Sequence, residues 1–276
     1  FLDYYKPLDD GLKFSLEPAV SYFSRPLLVF DTKGDALAEV ELDEVGGSFT
    51  LGREFSRSTK LSAGYTRYAG NMDITVGNPD LVPFNFDGAE LFLELKYDQF
   101  DDRYLPTSGV VADLKYTSSI EDLGADISFA QLEASLFSVH TFGFHSFLWG
   151  GQYNISLDDD IPIYAWYAGG GFLNMSGYEP NSLVGPHFGQ LVTGYRYQVA
   201  KSGFLPGYVG MTLEYGNATQ QRDDIFSDGL LNGSVYLGYD SPLGPIYLGV
   251  GWSEDRNALY FLRIGSIFGA RNLGRR

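Results

Sequence analysis

The sequence predicts an all-β protein, an antiparallel transmembrane β-barrel of about twelve strands, with sixteen as the alternative count. Three observations predict it. Apolar and polar residues alternate with period two through segment after segment, the mark of strands with one greasy and one polar face. No run approaches the roughly 18 consecutive apolar residues that a membrane-crossing helix needs. The polar members of the alternation are often charged, among them Glu17, Glu94, Lys96, Asp113, Lys115, Glu133, Arg196, Glu214 and Arg263. They are too numerous for a dry core, so the apolar faces are expected to look outward to lipid, around a wet bore. A lipocalin-like barrel or sandwich, with the faces reversed, is the soluble alternative.

Taken in order, the segments span about 11–24, 35–55, 60–76, 86–101, 109–120, 125–140, 145–158, 189–200, 207–218, 230–242, 245–255 and 258–268. Leu91, Leu93, Leu95 and Tyr97 alternate with Glu94, Lys96 and Asp98. Val110, Ala112, Leu114 and Tyr116 alternate with Asp113 and Lys115, and Phe147, Trp149, Tyr153, Ile155 and Leu157 with Ser146, Gln152, Asn154 and Ser156. Ile246, Leu248, Val250 and Trp252 repeat the pattern near the end. Phase slips at Asp43–Gly47 and Phe129–Leu132 predict bulges, and Pro18 predicts an irregularity in the first strand. Tyr, Trp and Phe gather near segment ends, where interfacial girdles belong.

The connections alternate in length. Those near 56–60, 103–108, 142–144, 200–206 and 242–244 are short; those near 78–83, 158–188 and 219–229 are longer. Short turns at one rim and long loops at the other are the outer-membrane pattern, although the short connections at 120–124 and 255–257 fall on the loop side. The 158–188 connection exceeds the roughly 12–15 residues a structureless loop normally reaches, so it is expected to have a job and to fold toward the lumen.

Composition narrows the partners. With 35 acidic against 19 basic residues the net charge is −16, which argues against nucleic acid and against a basic surface for anionic lipid headgroups. There is no Cys, which excludes a disulfide scaffold and a thiolate metal site. The sequence carries no Gly-x-Ser-x-Gly elbow, and no catalytic residue, cofactor or metal is assigned. His140, His145 and His187 lack ligand spacing and read as interfacial polar residues. Asp158-Asp159-Asp160 reads as a solvated acidic loop in preference to a Ca²⁺ site.

Four stretches carry a resemblance. They are Tyr97 through Pro106-Thr107-Ser108-Gly109; Gly169-Gly170-Gly171 through Met175-Ser176-Gly177-Tyr178; Leu213-Glu214-Tyr215-Gly216; and Tyr239-Asp240-Ser241-Pro242-Leu243-Gly244-Pro245. In order and spacing they resemble the barrel of the bacterial outer-membrane assembly and secretion superfamily. That group holds the barrel assembly insertase, the two-partner secretion transporters and surface antigens, and the barrels attached to patatin-like phospholipases, the last being the closest in flavour, with Tyr4-Tyr5-Lys6-Pro7-Leu8 extending the likeness to the start. The resemblance implies a non-enzymatic barrel in the bacterial outer membrane with both termini periplasmic, acting in insertion or secretion of a protein or lipid substrate. A passive solute pore and a dimerising anchor are the alternatives. Outer-membrane lipid, an unfolded protein substrate and a second copy of the chain are the partners it implies.

The chain departs from the pattern in three ways. Ser176 stands where the family has Arg, so the family's ion pair from the loop to Glu214 cannot form, and Glu214 is expected to need another donor or water. Family barrels have sixteen strands, and this chain reads as starting at the fifth. No docking domain is read ahead of the barrel; 1–276 reads as one barrel domain, with 269–276 as a short periplasmic tail. The loop motif Met175, Ser176, Gly177 and Tyr178 is the first candidate functional group, acting or merely bracing. The candidate lumen wall is Glu214, Arg196, Arg263, Glu94 and Lys96, whose mixed sign favours a pairing network over an ion-selective ring.

Overall fold

The computed structural model describes residues 2–30, 36–77, 83–199, 207–241, 244–254 and 258–266. In chain order the strands are β1 (Leu2–Asp3), β2 (Lys6–Pro7), β3 (Phe14–Phe30), β4 (Ala36–Ser56), β5 (Thr59–Gly77), β6 (Phe84–Asp98), β7 (Gly109–Ser119), β8 (Phe129–Phe142) and β9 (His145–Ser156). They continue with β10 (Tyr167–Gly169), β11 (Leu183–Gly185), β12 (His187–Gln198), β13 (Gly207–Thr219), β14 (Leu230–Ser241), β15 (Gly244–Ser253) and β16 (Leu259–Ile264); one helical turn, α1, covers Asp224–Ser227. Fourteen of these form one sheet in the order β1-β3-β4-β5-β6-β7-β8-β9-β12-β13-β14-β15-β16, with β2 also on β3. Each of the twelve predicted segments corresponds to one long strand. The expected connections at 200–206, 242–244, 78–83 and 255–257, and the tail at 269–276, lie wholly or mainly outside the described residues.

The chain divides into two compact units. The first comprises Phe1–Tyr97, Asp113–Ala134 and Ile155–Trp166. Its meander β3-β4-β5-β6 is antiparallel, and β4 is 21 residues long. The N-terminal segment folds back on β3 through Leu2↔Val20 and Lys6↔Leu16, turning where the Asp9 carboxylate accepts the N–H groups of Gly11, Lys13 and Phe14. Leu91, Leu93 and Leu95 are exposed, whereas Ser62 and Glu90 are buried. On the covered face Lys60 meets Glu17 at 2.5 Å.

The bulge expected at Asp43–Gly47 is absent. The register runs unbroken there against both β3 and β5, and it passes Pro18 with Pro18 opposite Phe49. Shifts occur instead at Val29/Phe30, Glu39/Val40 and Glu54/Ser56. The phase slip has a different cause: the covered face itself becomes apolar. Val40, Leu42, Met72 and Phe86 are buried on it, and Phe86 stacks on Tyr164 with ring centroids 4.1 Å apart. The greasy residues change sides while the strand stays regular.

The second unit comprises Asp98–Ala112, Ser135–Asn154 and Tyr167–Arg276. Strands β12 to β16 form an unbroken antiparallel meander. Polarity is inverted relative to a soluble protein: Leu213 keeps 44% of its surface exposed while its neighbour Glu214 keeps 1%. Val209, Met211, Val235, Leu237 and Leu248 lie on the open face; Gln190, Thr212, Asn232 and Ser234 are buried. Apolar residues outward and polar residues inward is the arrangement of a membrane barrel, whose open face is suited to lipid. Aromatics mark both ends of the strands. Phe147 packs on Tyr195 (5.4 Å) and Phe144 on Tyr197 (6.3 Å) at one end, and Phe226 lies against Tyr153 and Tyr215 (6.4 Å each) at the other. Six residues of β9 separate Phe147 from Tyr153, about 20 Å of strand, comparable with the roughly 25 Å apolar band of a membrane barrel.

The turn from Asp98 to Gly109 explains its motif. The Asp101 carboxylate accepts the Thr107 hydroxyl and the N–H groups of Thr107 and Ser108; Asp102 accepts those of Tyr104 and Leu105. Gly109 sits at φ +115, where a Cβ would strike the Gln99 carbonyl, so Gly is required.

Candidate functional site

Within the second unit, residues 167–185 of the long connection form an ordered ribbon. β10 and β11 pair through three positions, Tyr167↔Gly185 to Gly169↔Leu183. Gly170 and Gly171, at φ +115 and +95, turn the chain into the tip, and a Cβ on Gly170 would collide with the Glu179 carbonyl. The tip closes on itself through Gly171 N–H to Tyr178 O (2.9 Å) and Tyr178 N–H to Met175 O (3.0 Å). Leu173 and Met175 adopt φ of +61 and +73, a left-handed conformation that costs about 1 kcal/mol or more each for such residues. Burial compensates: Met175, Ser176 and Tyr178 are 0–1% exposed, with Met175 and Tyr178 packed among Tyr167 and Phe188.

The tip docks on the polar face of β13 to β15. Ser176 donates its backbone N–H to Glu214 Oε2 at 2.7 Å and its hydroxyl to Glu214 Oε1 at 2.5 Å. Thr212 donates a third bond to Oε1 at 2.8 Å. The Ser176 hydroxyl in turn accepts the Leu173 N–H at 3.0 Å, so it is satisfied on both sides. Gly177 donates its N–H to Asn232 Oδ1 (3.4 Å), and Gln190 holds the Leu173 carbonyl at 3.0 Å. The closest approach is backbone to backbone: a Cβ on Gly251 of β15 would strike the Ser176 carbonyl, and one on Gly177 would strike that of Trp252. The residue that removes the ion pair therefore supplies the replacement donor itself. Among the described residues no cation pairs with Glu214; its ligands are neutral hydroxyls and an amide.

The other predicted residues do not join this centre. Arg196 on β12 bonds Pro106 O at 3.0 Å, in the Asp98–Gly109 turn. Arg263 on β16 is half-buried and donates to Ser266 O at 3.3 Å. Glu94 and Lys96 belong to the first unit, where they pair at 2.8 Å, with Asp113 3.9 Å from Lys96. Thr212, Asn232, Gln190 and Gly251 complete the site without having been singled out in the sequence. Register was the available signal: Thr212 shares a face with Glu214, and Asn232 pairs directly across from it. The Asp158 carboxylate accepts the Ala130 N–H at 2.6 Å, and among the described residues no group of three acidic or histidine side chains could hold a metal.

The Omp85 superfamily domain matches residues 2–265, almost the whole chain. The chain belongs to the Omp85 superfamily. Among solved structures, BamA from Haemophilus ducreyi lacking POTRA domains 1–3 is similar at TM-score 0.72 and 13% identity, over 95% of this chain and 60% of that one. CdiB from Acinetobacter baumannii is similar at 0.64 and 12%, over 96% and 49%, and CdiB from Escherichia coli at 0.65 and 11%, over 92% and 50%. This Omp85 chain thus spans three fifths or less of the neighbours it matches, and at these identities the likeness is one of fold. No curated protein sequence matches it.

Proposed function

We propose that this Omp85 chain is a non-enzymatic outer-membrane barrel that assists insertion or secretion of a polypeptide or lipid substrate. The observation that carries the reading is the Omp85 match across residues 2–265, combined with a loop tip seated by Ser176 on Glu214, the positions where the superfamily resemblance expects loop and wall to meet. In this reading the chain forms a single barrel domain, the tip sits in the lumen as a brace, the short-turn rim faces the periplasm together with both termini, and the exposed apolar faces meet outer-membrane lipid. The acidic balance argues against nucleic acid. A second copy of the chain is a further partner, read out by the mass of the detergent-solubilised species.

The test is reconstitution. Vesicles carrying the protein are offered a urea-unfolded outer-membrane barrel or a secreted polypeptide. Faster folding, or protease-protected uptake, relative to empty vesicles is expected. Equal rates with both vesicle types refute the reading. A pore is the second reading, favoured by the partly exposed ion pairs Lys60–Glu17 and Lys96–Glu94. Planar-bilayer currents that rise on deletion of residues 172–182 would support it.

A further inference from the structure

Arg196 is a buried cation that lacks a counter-ion among the described residues. It is 9% exposed, and among the described residues no carboxylate comes within ion-pair distance of it. Among the described residues its hydrogen bonds run from Nη2, to Pro106 O and to Ser146 Oγ at 3.4 Å, and Nε is buried with no partner. The Tyr208 ring covers one side, 5.0 Å from the guanidinium carbon. Glu214, the buried acid of the same unit, lies four residues along β13 from Gly210, the position opposite Arg196, or about 13 Å of strand. Its oxygens are already taken by Ser176 and Thr212.

Beside Arg196 lies a cavity of about 30 Å³, whose wall also includes Pro106, Ser146, Leu173, Thr212 and Tyr236. We propose that this cavity binds a small monovalent anion of halide size, the counter-ion of Arg196. A buried charge is stable only when paired and hydrogen-bonded. The guanidinium has five N–H donors, more than Pro106 and Ser146 accept, and the Tyr236 phenol adds another donor at the wall. The volume exceeds the roughly 10–15 Å³ that one water requires, which also admits a chloride or bromide ion. Water would fill the space without neutralising the charge. Because Pro106 comes from the Asp98–Gly109 turn and Leu173 from the loop tip, the anion would tie both segments to β12.

The test uses the whole chain. Crystals grown in sodium bromide are expected to give an anomalous peak within hydrogen-bonding distance of Arg196. Unfolding in chloride or bromide is expected a few degrees higher than in gluconate at equal ionic strength, and Arg196→Gln is expected to abolish that difference. No bromide peak together with equal midpoints in the three salts overturns the proposal and leaves water in the cavity. If Arg196→Gln does not fold, the bromide and salt data on the unsubstituted protein decide the matter alone.

Discussion

Replacing Ser176 by Ala isolates the contact that seats the loop. The substitution deletes the hydroxyl that donates to Glu214 Oε1 at 2.5 Å and accepts from Leu173 N–H at 3.0 Å. A hydrogen bond to a charged group is worth about 2 kcal/mol, and orphaning a buried N–H costs about 1 more, so Ser176→Ala should destabilise by about 3 kcal/mol. That is roughly a hundredfold shift toward the undocked or unfolded state. Glu214→Ala should cost more, since it strands the Ser176 amide, the Ser176 hydroxyl and the Thr212 hydroxyl together. Glu214→Gln should cost least: its carbonyl can take the Ser176 N–H while the two hydroxyls rotate to accept from its amide. The assay is urea unfolding of the protein in lipid vesicles, followed by heat-modifiable gel migration, with protease cleavage inside 170–182 reporting loop docking. Equal midpoints for all three variants, with the loop protected in each, would refute the reasoning.

Gly251→Ala should push the tip off β15, because the new Cβ meets the Ser176 carbonyl; overpacking of this kind costs about 1–3 kcal/mol, and cleavage at 170–182 should rise while the strands stay folded. Burial pushes the Asp101 carboxyl up, but hydrogen bonds from Thr107 and Ser108 outweigh it and hold the group at about 2. Its contribution is therefore complete above the ordinary Asp value of about 4 and is lost as pH falls toward 2. Asp101→Asn should be less stable than the parent at pH 7 and equal to it near pH 2, and a gap that stays constant across that range would contradict the assignment. Leu93→Arg places a charge on the open apolar face and should cost about 2–4 kcal/mol near mid-bilayer, measured as reduced folding yield into vesicles; an unchanged yield would mean that this face does not meet lipid.

Much of the fold was legible because alternation is a strong signal when both faces have a fixed fate. β6 declares itself in Leu91, Leu93 and Leu95 against Glu94 and Lys96, and β15 in Ile246 to Trp252. The signal misleads where a covered face turns apolar, as at Val40 and Leu42, since a sequence cannot separate a residue that changes side from a face that changes partner. Glu214 was legible as an acid needing a donor. That Ser176 is the donor was not, because the contact spans 38 residues and depends on Leu173 and Met175 adopting conformations that their side chains disfavour. The ribbon of β10 and β11 was hidden for a related reason: three-residue strands are too short to establish a period.

β4 and β5 are longer than a membrane crossing requires. At 21 and 19 residues they extend about 60–70 Å along the strand, or close to 50 Å in height at a 45° tilt, against a hydrocarbon layer of about 30 Å. Glu39, Glu41, Asp43 and Asp73 lie together at the end of the pair remote from the Ser56–Thr59 turn. In the orientation proposed above, that acidic end would stand clear of the headgroups and repel acidic polymers, chemically separate from the lipid-facing wall.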